Sequence, residues 1–326
     1  MGDILRVENL RTYFKVRGGV VKAVDDVSFT VADGEVLGLV GESGSGKSMT
    51  CRSILRLVPP PGEILSGRIF YQDQDIMTWP ENHLVDYRGA QVSMVLQEPM
   101  TALNAVHTVG KQIVETILQH ESVSQKDAEQ RAIDLMRLVG IPAPERRLKE
   151  YPHQFSGGMR QRVMIAIALA CRPKVLLADE PTTALDVTIQ DQIIRLVKDL
   201  QEEMGMSVVW VTHDLGVVAQ LCDRVAVMYA GRILELCDVI ELFENSRHPY
   251  TRGLMESVPS GNTRAASKLI PIPGQPPDLL NLEEGCPFRE RCRYAVERCQ
   301  EKDIPLVKVS DKHYSACIRQ KELWES

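Results

Sequence analysis

Apolar positions follow two different rhythms along the chain. Leu5-Arg6-Val7-Glu8 and Val24 to Val31 alternate with a period near two, which predicts half-buried strands. Val36-Leu37-Gly38-Leu39-Val40 is an unbroken apolar run of the fully buried strand type. It leads into a glycine-rich turn and a predicted helix from Lys47 to Val58, which Pro59-Pro60-Pro61 stops. Gly67 to Tyr71 reads as another strand. From about 107 to 150 the rhythm becomes helical. Val109, Ile113, Ile117 and Leu118 are assigned to one helix face, and Ile133, Leu135, Met136, Leu138 and Val139 form a second apolar cluster before Gly140-Ile141-Pro142. Helix and strand then alternate from 157 to 235. The runs Val175 to Ala178 and Val208 to Val211 suit a parallel sheet covered on both faces. Past 245, Pro259, Pro271, Pro273, Pro276 and Pro277 make 259–280 a linker or extended arm, followed by a cysteine-bearing tail. The predicted class is α/β: a sheet core, an antiparallel β part, an inserted helical subdomain over about 98–156, and an extension over 246–326.

Composition narrows the function. A length of 326 residues suits a large domain with an extension. The net charge of −6 argues against a chain that wraps nucleic acid through phosphate contacts. The longest apolar run, Val163 to Cys171, is far short of a membrane span, and Met1-Gly2-Asp3-Ile4-Leu5-Arg6 lacks a signal-peptide layout. The chain is expected in the cytosol, meeting a membrane only through a partner. Cys51, Cys171, Cys222 and Cys237 are scattered among apolar residues and read as core thiols. Cys286, Cys292, Cys299 and Cys317 crowd together and read as a metal site.

The chemistry begins at Gly41-Glu42-Ser43-Gly44-Ser45-Gly46-Lys47-Ser48, with Met49 following. This is G-x-x-x-x-G-K-[ST] between an apolar strand and a helix. Its glycines let backbone N–H groups converge on phosphate oxygens, and the helix adds its positive end. Lys47 is placed for the β- and γ-phosphates and Ser48 for Mg²⁺. A second element, Val175 to Glu180, is an apolar strand ending in two carboxylates. Asp179 is assigned to the Mg²⁺ shell, and Glu180 to accepting a proton from, or orienting, the attacking water. The plainer reading of Asp179-Glu180 is a helix cap.

Four further segments resemble motifs of the ABC-type ATPases. Phe155-Ser156-Gly157-Gly158-Met159-Arg160-Gln161-Arg162 resembles that family's signature loop, Gln97 in Val95 to Pro99 its Q-loop glutamine, Ala184-Leu185-Asp186 its D-loop, and His213 in Val211 to Asp214 its switch histidine. The resemblance covers about residues 4–245 and implies a P-loop ABC ATPase domain over 1–245. It implies ATP and Mg²⁺ as cofactors, Glu180, His213, Gln97 and Lys47 as catalytic residues, and Gln97 beside Ser48 and Asp179 at the metal. Ser156, Gly157, Gly158 and Gln161 would close the nucleotide of a facing subunit in a head-to-tail dimer. It also implies an aromatic platform for adenine. Tyr13 and Phe14 both qualify, strand alternation points them to opposite sides, and spacing favours Phe14.

One cassette without a spanning segment implies a separate ATPase subunit that needs two transmembrane permease subunits. Arg247 to Leu254 resembles the H-P-Y-T segment of dipeptide and oligopeptide importer ATPases, as do Gln97 to Asn104 and Met164 to Pro173. That group implies a related second ATPase chain, an extracytoplasmic peptide-binding protein, and a peripheral position on the cytoplasmic face of the plasma (inner) membrane. A nickel or other small-solute importer, a non-transport ABC regulator and a catalytically silent subunit are the alternatives. Cys286-x5-Cys292-x6-Cys299-x17-Cys317 supplies the four thiolates of a [4Fe–4S] cluster or of a tetrahedral zinc. Members of the resembling group carry the cluster, which makes the tail an iron–sulfur-type extension. Arg289, Arg291, Arg293 and Arg298 either offset its charge or lie on a solvated face.

Overall fold

A computed structural model describes residues 2–183, 185–257, 271–280, 282–301 and 304–324. Ala184 of the D-loop segment and Pro259 of the proline-rich arm lie outside the described residues. The strands are β1 (Asp3–Val16), β2 (Gly19–Ala32), β3 (Val36–Val40), β4 (Gly62–Tyr71), β5 (Gln74–Asp75), β6 (Val92–Val95), β7 (Val175–Asp179), β8 (Ser207–Thr212), β9 (Arg224–Tyr229), β10 (Arg232–Asp238), β11 (Val307–Ser310) and β12 (His313–Ser315). The helices are α1 (Lys47–Ile54), α2 (Glu81–Tyr87), α3 (Pro99–Ala102), α4 (Val109–His120), α5 (Gln125–Leu138), α6 (Pro144–Arg147), α7 (Gly157–Ala168), α8 (Val187–Met204), α9 (Leu215–Leu221), α10 (Val239–Asn245), α11 (Pro249–Glu256) and α12 (Gln320–Trp324).

The chain forms two compact units. One, here the carboxylate unit, contains Met1–Ile4, Val31–Glu35 and Tyr71–Val211. The other, the phosphate-loop unit, contains Leu5–Thr30, Val36–Phe70 and Thr212–Ser326.

In the phosphate-loop unit, sheet order runs β11-β12-β10-β9-β3. β3 pairs parallel to β9, with Leu37 opposite Arg224 and Val40 opposite Val227. β9, β10, β12 and β11 are successively antiparallel. The whole of β3 is buried, as its unbroken apolar run predicts. Helix α1 ends at Ile54, short of the predicted Val58. Arg56 takes a left-handed φ of 52°, while Arg56 N donates to Ser53 O (2.9 Å) and Leu57 N to Arg52 O (2.8 Å). These are the paired bonds of a Schellman stop, carried here by arginine where glycine is usual. The short strands β11 and β12 extend the sheet from the tail. Their polar residues, among them Lys308, Ser310 and His313, give no apolar rhythm to announce them.

In the carboxylate unit, β6, β7 and β8 are parallel neighbours. Val92 lies opposite Val175, and Val175 opposite Ser207. β7 and β8 are buried along their whole length. Helices α4, α5 and α7 pack on one another. Val109, Ile113, Val114 and Ile117 form the buried face of α4, whereas Leu118 is 37% exposed. Nine residues at about 100° each turn Leu118 to the side opposite Val109, so its assignment to that face is corrected. Leu138 is likewise exposed, and Ala128, Ala132 and Met136 carry the core face of α5.

Candidate nucleotide site and cysteine cluster

The phosphate loop leaves β3 at Gly41, whose φ is 153°. A Cβ there would run into the carbonyl oxygen of Met228. Gly46 has φ 103°, and a Cβ on it would meet the carbonyl oxygen of Ala23. At these two positions the backbone approaches a neighbour too closely for any side chain. The loop is tied down by Ser45 O accepting from Gly231 N (3.0 Å) and by Glu42 N donating to the Tyr250 hydroxyl (2.9 Å). Lys47 is 4% exposed. Its ammonium donates to Gly41 O (2.8 Å), Glu42 O (2.9 Å) and Ser45 Oγ (3.4 Å), curling over the loop it belongs to. Ser43 and Gly44 are exposed, and Ser48 and Met49 half-buried.

The two aromatic candidates do face opposite ways. Tyr13 donates its hydroxyl to Asp25 Oδ1 at 2.6 Å. Burial and the Asp25 carboxylate push its phenol up to about 12. Burial alone would raise Asp25, but the Tyr13 hydroxyl and the Arg232 guanidinium (Nη2–Oδ2 2.7 Å) outweigh it and hold the carboxyl below its usual range. Phe14 shares its side of β1 with Thr12, which bonds Ser53 of α1 at 2.8 Å, and its ring lies against Gly62.

In the carboxylate unit, β7 delivers Asp179 (3% exposed) and then Glu180, whose φ of 45° turns the chain sharply. Glu180 N donates to Val211 O (3.1 Å), which fixes that turn on β8. Glu180 Oε2 accepts from Gln97 Nε2 (3.0 Å) and from Thr183 Oγ1 (2.9 Å). Two of the four sequence-predicted catalytic residues therefore touch. Asp179-Glu180 does not cap a helix; that role belongs to Asp186, whose side chain accepts from Ile189 N (2.9 Å) at the start of α8. His213, in the other unit, is exposed and follows the buried Thr212, whose Oγ1 accepts from Asp214 N (3.0 Å).

Ser156 caps α7, accepting from Met159 N (3.4 Å), and leaves Gly157 exposed and Gly158 half-buried. A Cβ on Gly158 would press on Ile189. Gln161 departs from expectation. It is 1% exposed, one turn into α7, so it has no surface to offer a facing subunit and is removed from the nucleotide-closing set.

The tail cysteines are all free thiols. Cys286, Cys292, Cys299 and Cys317 line one small cavity with His248, Phe288 and Leu323 among others. Burial pushes Cys286 up to about 12 and Cys317 up to about 11, and raises Cys292 as well. The room between them is about 20 Å³, one or two waters' worth. Among the described residues, the group whose ligand atoms all lie within 4.8 Å of one another is Glu235, Cys237 and His313, not the tail sulfurs. That group is an internal tie. Glu235 accepts from His313 Nε2 (2.7 Å), His248 N (3.1 Å) and Arg247 N.

Sequence reasoning missed Thr183, Tyr250 and the setting of Arg291. Arg291 neither faces solvent nor balances thiolates: its side chain is 6% exposed and pairs with Glu42 of the phosphate loop. Arg289, Arg293 and Arg298 pair with Glu283, Glu256 and Glu301. No motif signals a contact between residues so far apart in the chain.

Comparison with known proteins agrees with this arrangement. Residues 24–183 match the ABC transporter family, and residues 234–299 match the oligopeptide/dipeptide transporter C-terminal region. The chain is 50% identical over 312 residues to the oligopeptide transport ATP-binding protein OppD of Bacillus subtilis (strain 168), covering 95% of this chain and 87% of that protein. It is 48% identical over 318 residues to the dipeptide transport ATP-binding protein DppD of the same organism, covering 97% and 95%. A solved dimeric, post-hydrolysis ATP-binding cassette, MJ0796 bound to ADP and Pi, superposes with a TM-score of 0.65 at 28% identity, covering 72% of this chain and 98% of that one. No helix among the described residues is long and apolar enough to cross a membrane. The chain belongs to the ABC transporter ATP-binding proteins, in the group that carries the oligopeptide/dipeptide transporter C-terminal region.

Proposed function

We propose that this chain is the ATP-hydrolysing subunit that powers import of dipeptides or oligopeptides through a membrane ABC transporter. The observation that carries the substrate class is the C-terminal region over residues 234–299, matched on top of the cassette. Relatives named for oligopeptide and dipeptide transport support it.

The chemistry is mostly placement of charge. Loop N–H groups between Gly41 and Ser48 cradle the phosphates, and Lys47 leaves its carbonyl partners for the β- and γ-oxygens. Glu180, steadied by Gln97 and Thr183, accepts a proton from the attacking water. His213 donates to the γ-phosphate. Phe14 is the better adenine platform, since the Tyr13 hydroxyl is engaged with Asp25. Asp186 stands at the D-loop. Ser48, Asp179 and Gln97 all offer oxygen, the donor that a hard divalent cation takes, and would hold Mg²⁺. Bound there, the cation neutralises charge developing on the phosphate oxygens. Ser156, Gly157 and Gly158 close the nucleotide of a related, facing ATPase chain. Residues 98–156 act as a helical subdomain that passes the motion to two permease subunits, which hold the chain at the cytoplasmic face of the membrane. An extracytoplasmic binding protein delivers the peptide.

The extension over 246–326 is read as holding a [4Fe–4S] cluster on Cys286, Cys292, Cys299 and Cys317. Four free thiols lining one cavity supply the number of ligands such a cluster takes. Zinc asks for sulfurs about 3.8 Å apart, from a Zn–S bond of about 2.3 Å in a tetrahedron. The spacing Cys286-x5-Cys292-x6-Cys299-x17-Cys317 lacks the short C-x2–4-C knuckle typical of structural zinc, which favours the cluster. Its role is a structural staple for a small, core-poor tail.

Uptake by proteoliposomes holding the complete transporter tests the function. Labelled di- and oligopeptides should accumulate only with ATP inside the vesicle equivalent of the cytosol. Nickel uptake without peptide uptake would replace this reading with the small-solute alternative.

A further inference from the structure

We propose that Arg291 is a positioning residue for nucleotide binding: it holds the Glu42 carboxylate, so that a negative charge inside the anion-binding loop is neutralised and kept off the triphosphate. This rests on the phosphate-loop reading above.

Glu42 is an awkward residue for its place. The loop exists to gather N–H donors around an anion, and a free carboxylate there repels that anion. In the structure the carboxylate is not free. Arg291 Nη1 donates to Oε2 at 2.6 Å and Nη2 to Oε1 at 3.0 Å, a two-pronged pair. The guanidinium is itself pinned, with Nε donating to Pro273 O (2.9 Å) and Nη1 also to the Tyr229 hydroxyl (3.2 Å). Three rings wall the pair. Tyr229 and Tyr250 lie 4.6 Å apart between centroids, and Phe288 sits 5.4 and 5.2 Å from them.

The backbone of Glu42 is held from both sides. Its N–H goes to Tyr250, and its carbonyl accepts from Lys47 Nζ at 2.9 Å. A continuous hydrogen-bonded path therefore runs from Arg291 through Glu42 to the lysine that must meet the phosphates. Arg291 rides on a single turn between two of the tail cysteines. Arg289 N donates to Cys286 O (3.2 Å), Arg291 N to Phe288 O (3.1 Å) and Cys292 N to Arg289 O (3.3 Å). The cysteine segment is thus the carrier of the charge that completes the loop. A cassette ending near residue 245 would lack it.

The test is a set of variants in the assembled transporter, read by binding of a non-hydrolysable ATP analogue and by steady-state hydrolysis. Arg291→Gln strands the carboxylate beside the phosphates. It should raise Kd and the KM for ATP about tenfold and leave kcat at saturating ATP within about twofold. Removing the carboxylate as well, in E42Q/R291Q, should bring Kd back to within about threefold of wild type. A purely structural role for Arg291 gives no such recovery, because the double variant lacks the same staple. Arg291→Lys keeps the charge but not the fork, and should raise KM by about threefold. It is the probe if R291Q fails to assemble. A Kd for R291Q within twofold of wild type, a double variant no tighter than R291Q, or a KM for R291K raised as far as that expected for R291Q would each overturn the proposal. Lys47→Ala serves as control. Undiminished affinity there would sink the phosphate-loop reading rather than this one.

Discussion

Gln97 Nε2 lies 3.0 Å from Glu180 Oε2, although the two residues are 83 apart in the chain. The same oxygen accepts from Thr183 at 2.9 Å. A carboxylate oxygen that takes two donors is oriented before any substrate arrives. Replacing Glu180 by Gln keeps the shape and removes the proposed proton acceptor. Turnover should fall by about 10²- to 10⁴-fold while ATP affinity is retained. Thr183→Val removes one orienting donor only, so kcat should drop about threefold to tenfold with KM for ATP nearly unchanged. Phosphate release at saturating ATP measures both. Wild-type hydrolysis by E180Q would mean that another group accepts the proton.

Lys47 makes a complementary prediction. Its ammonium is buried on the carbonyls of Gly41 and Glu42 and on Ser45, so truncation removes a brace for the loop together with the proposed phosphate ligand. Lys47→Ala should weaken nucleotide binding by at least about 100-fold, a loss of about 3 kcal/mol in affinity. Calorimetric titration with a non-hydrolysable analogue reads the loss directly. A thermal midpoint close to wild type would show that the change is in binding, not in folding.

What could be read ahead of the structure follows the range over which each signal acts. β3, β7 and β8 were legible because a strand buried on both faces must be apolar throughout. The phosphate loop was legible because its glycines, lysine and serine form one contiguous motif, although the carbonyl oxygens that exclude a side chain at Gly41 and Gly46 belong to the distant Met228 and Ala23. The early end of α1 was hidden, since Arg56 does at the helix stop what glycine usually does. Leu118 was misassigned because one residue of helix rotates a side chain by about 100°. Gln161 was assigned from its place in a motif, and burial is not written in a motif. The Arg291–Glu42 pair spans 249 positions and has no local signature at all.

The cysteine cavity yields a prediction about metal. Thiols must give up protons to bind a metal ion or cluster, and burial opposes that loss at Cys286, Cys292 and Cys317. Protein purified without oxygen should be brown and contain about four irons per chain, the stoichiometry of the proposed cluster. Cys299→Ser should lower the iron content and lower the thermal midpoint, because the tail then loses a ligand that ties Cys286 to Cys317. Iron analysis with zinc measured alongside decides between the two metals. A colourless protein holding one zinc would transfer the site to the tetrahedral alternative.

Asp25 supplies a dependence on pH with a definite sign. Its side chain is 5% exposed and is held by the Arg232 guanidinium and the Tyr13 hydroxyl. Those partners hold its carboxyl below the usual range in the folded chain. A depressed folded value means that the ionised form is preferred on folding. The stabilisation is therefore full well above pH 4, and is lost as pH falls through the folded value. Asp25→Asn should cost about 2 kcal/mol at pH 7, since Arg232 is left without its carboxylate. Near pH 3 wild type has begun to lose the same interaction, so the gap between the two proteins should narrow. Urea midpoints of wild type and D25N at pH 7, 5 and 3 measure that gap. Taking the difference removes the acid response of every other carboxylate. A gap that stays constant, or widens toward acid, would show that Asp25 is not held ionised by Arg232 and Tyr13.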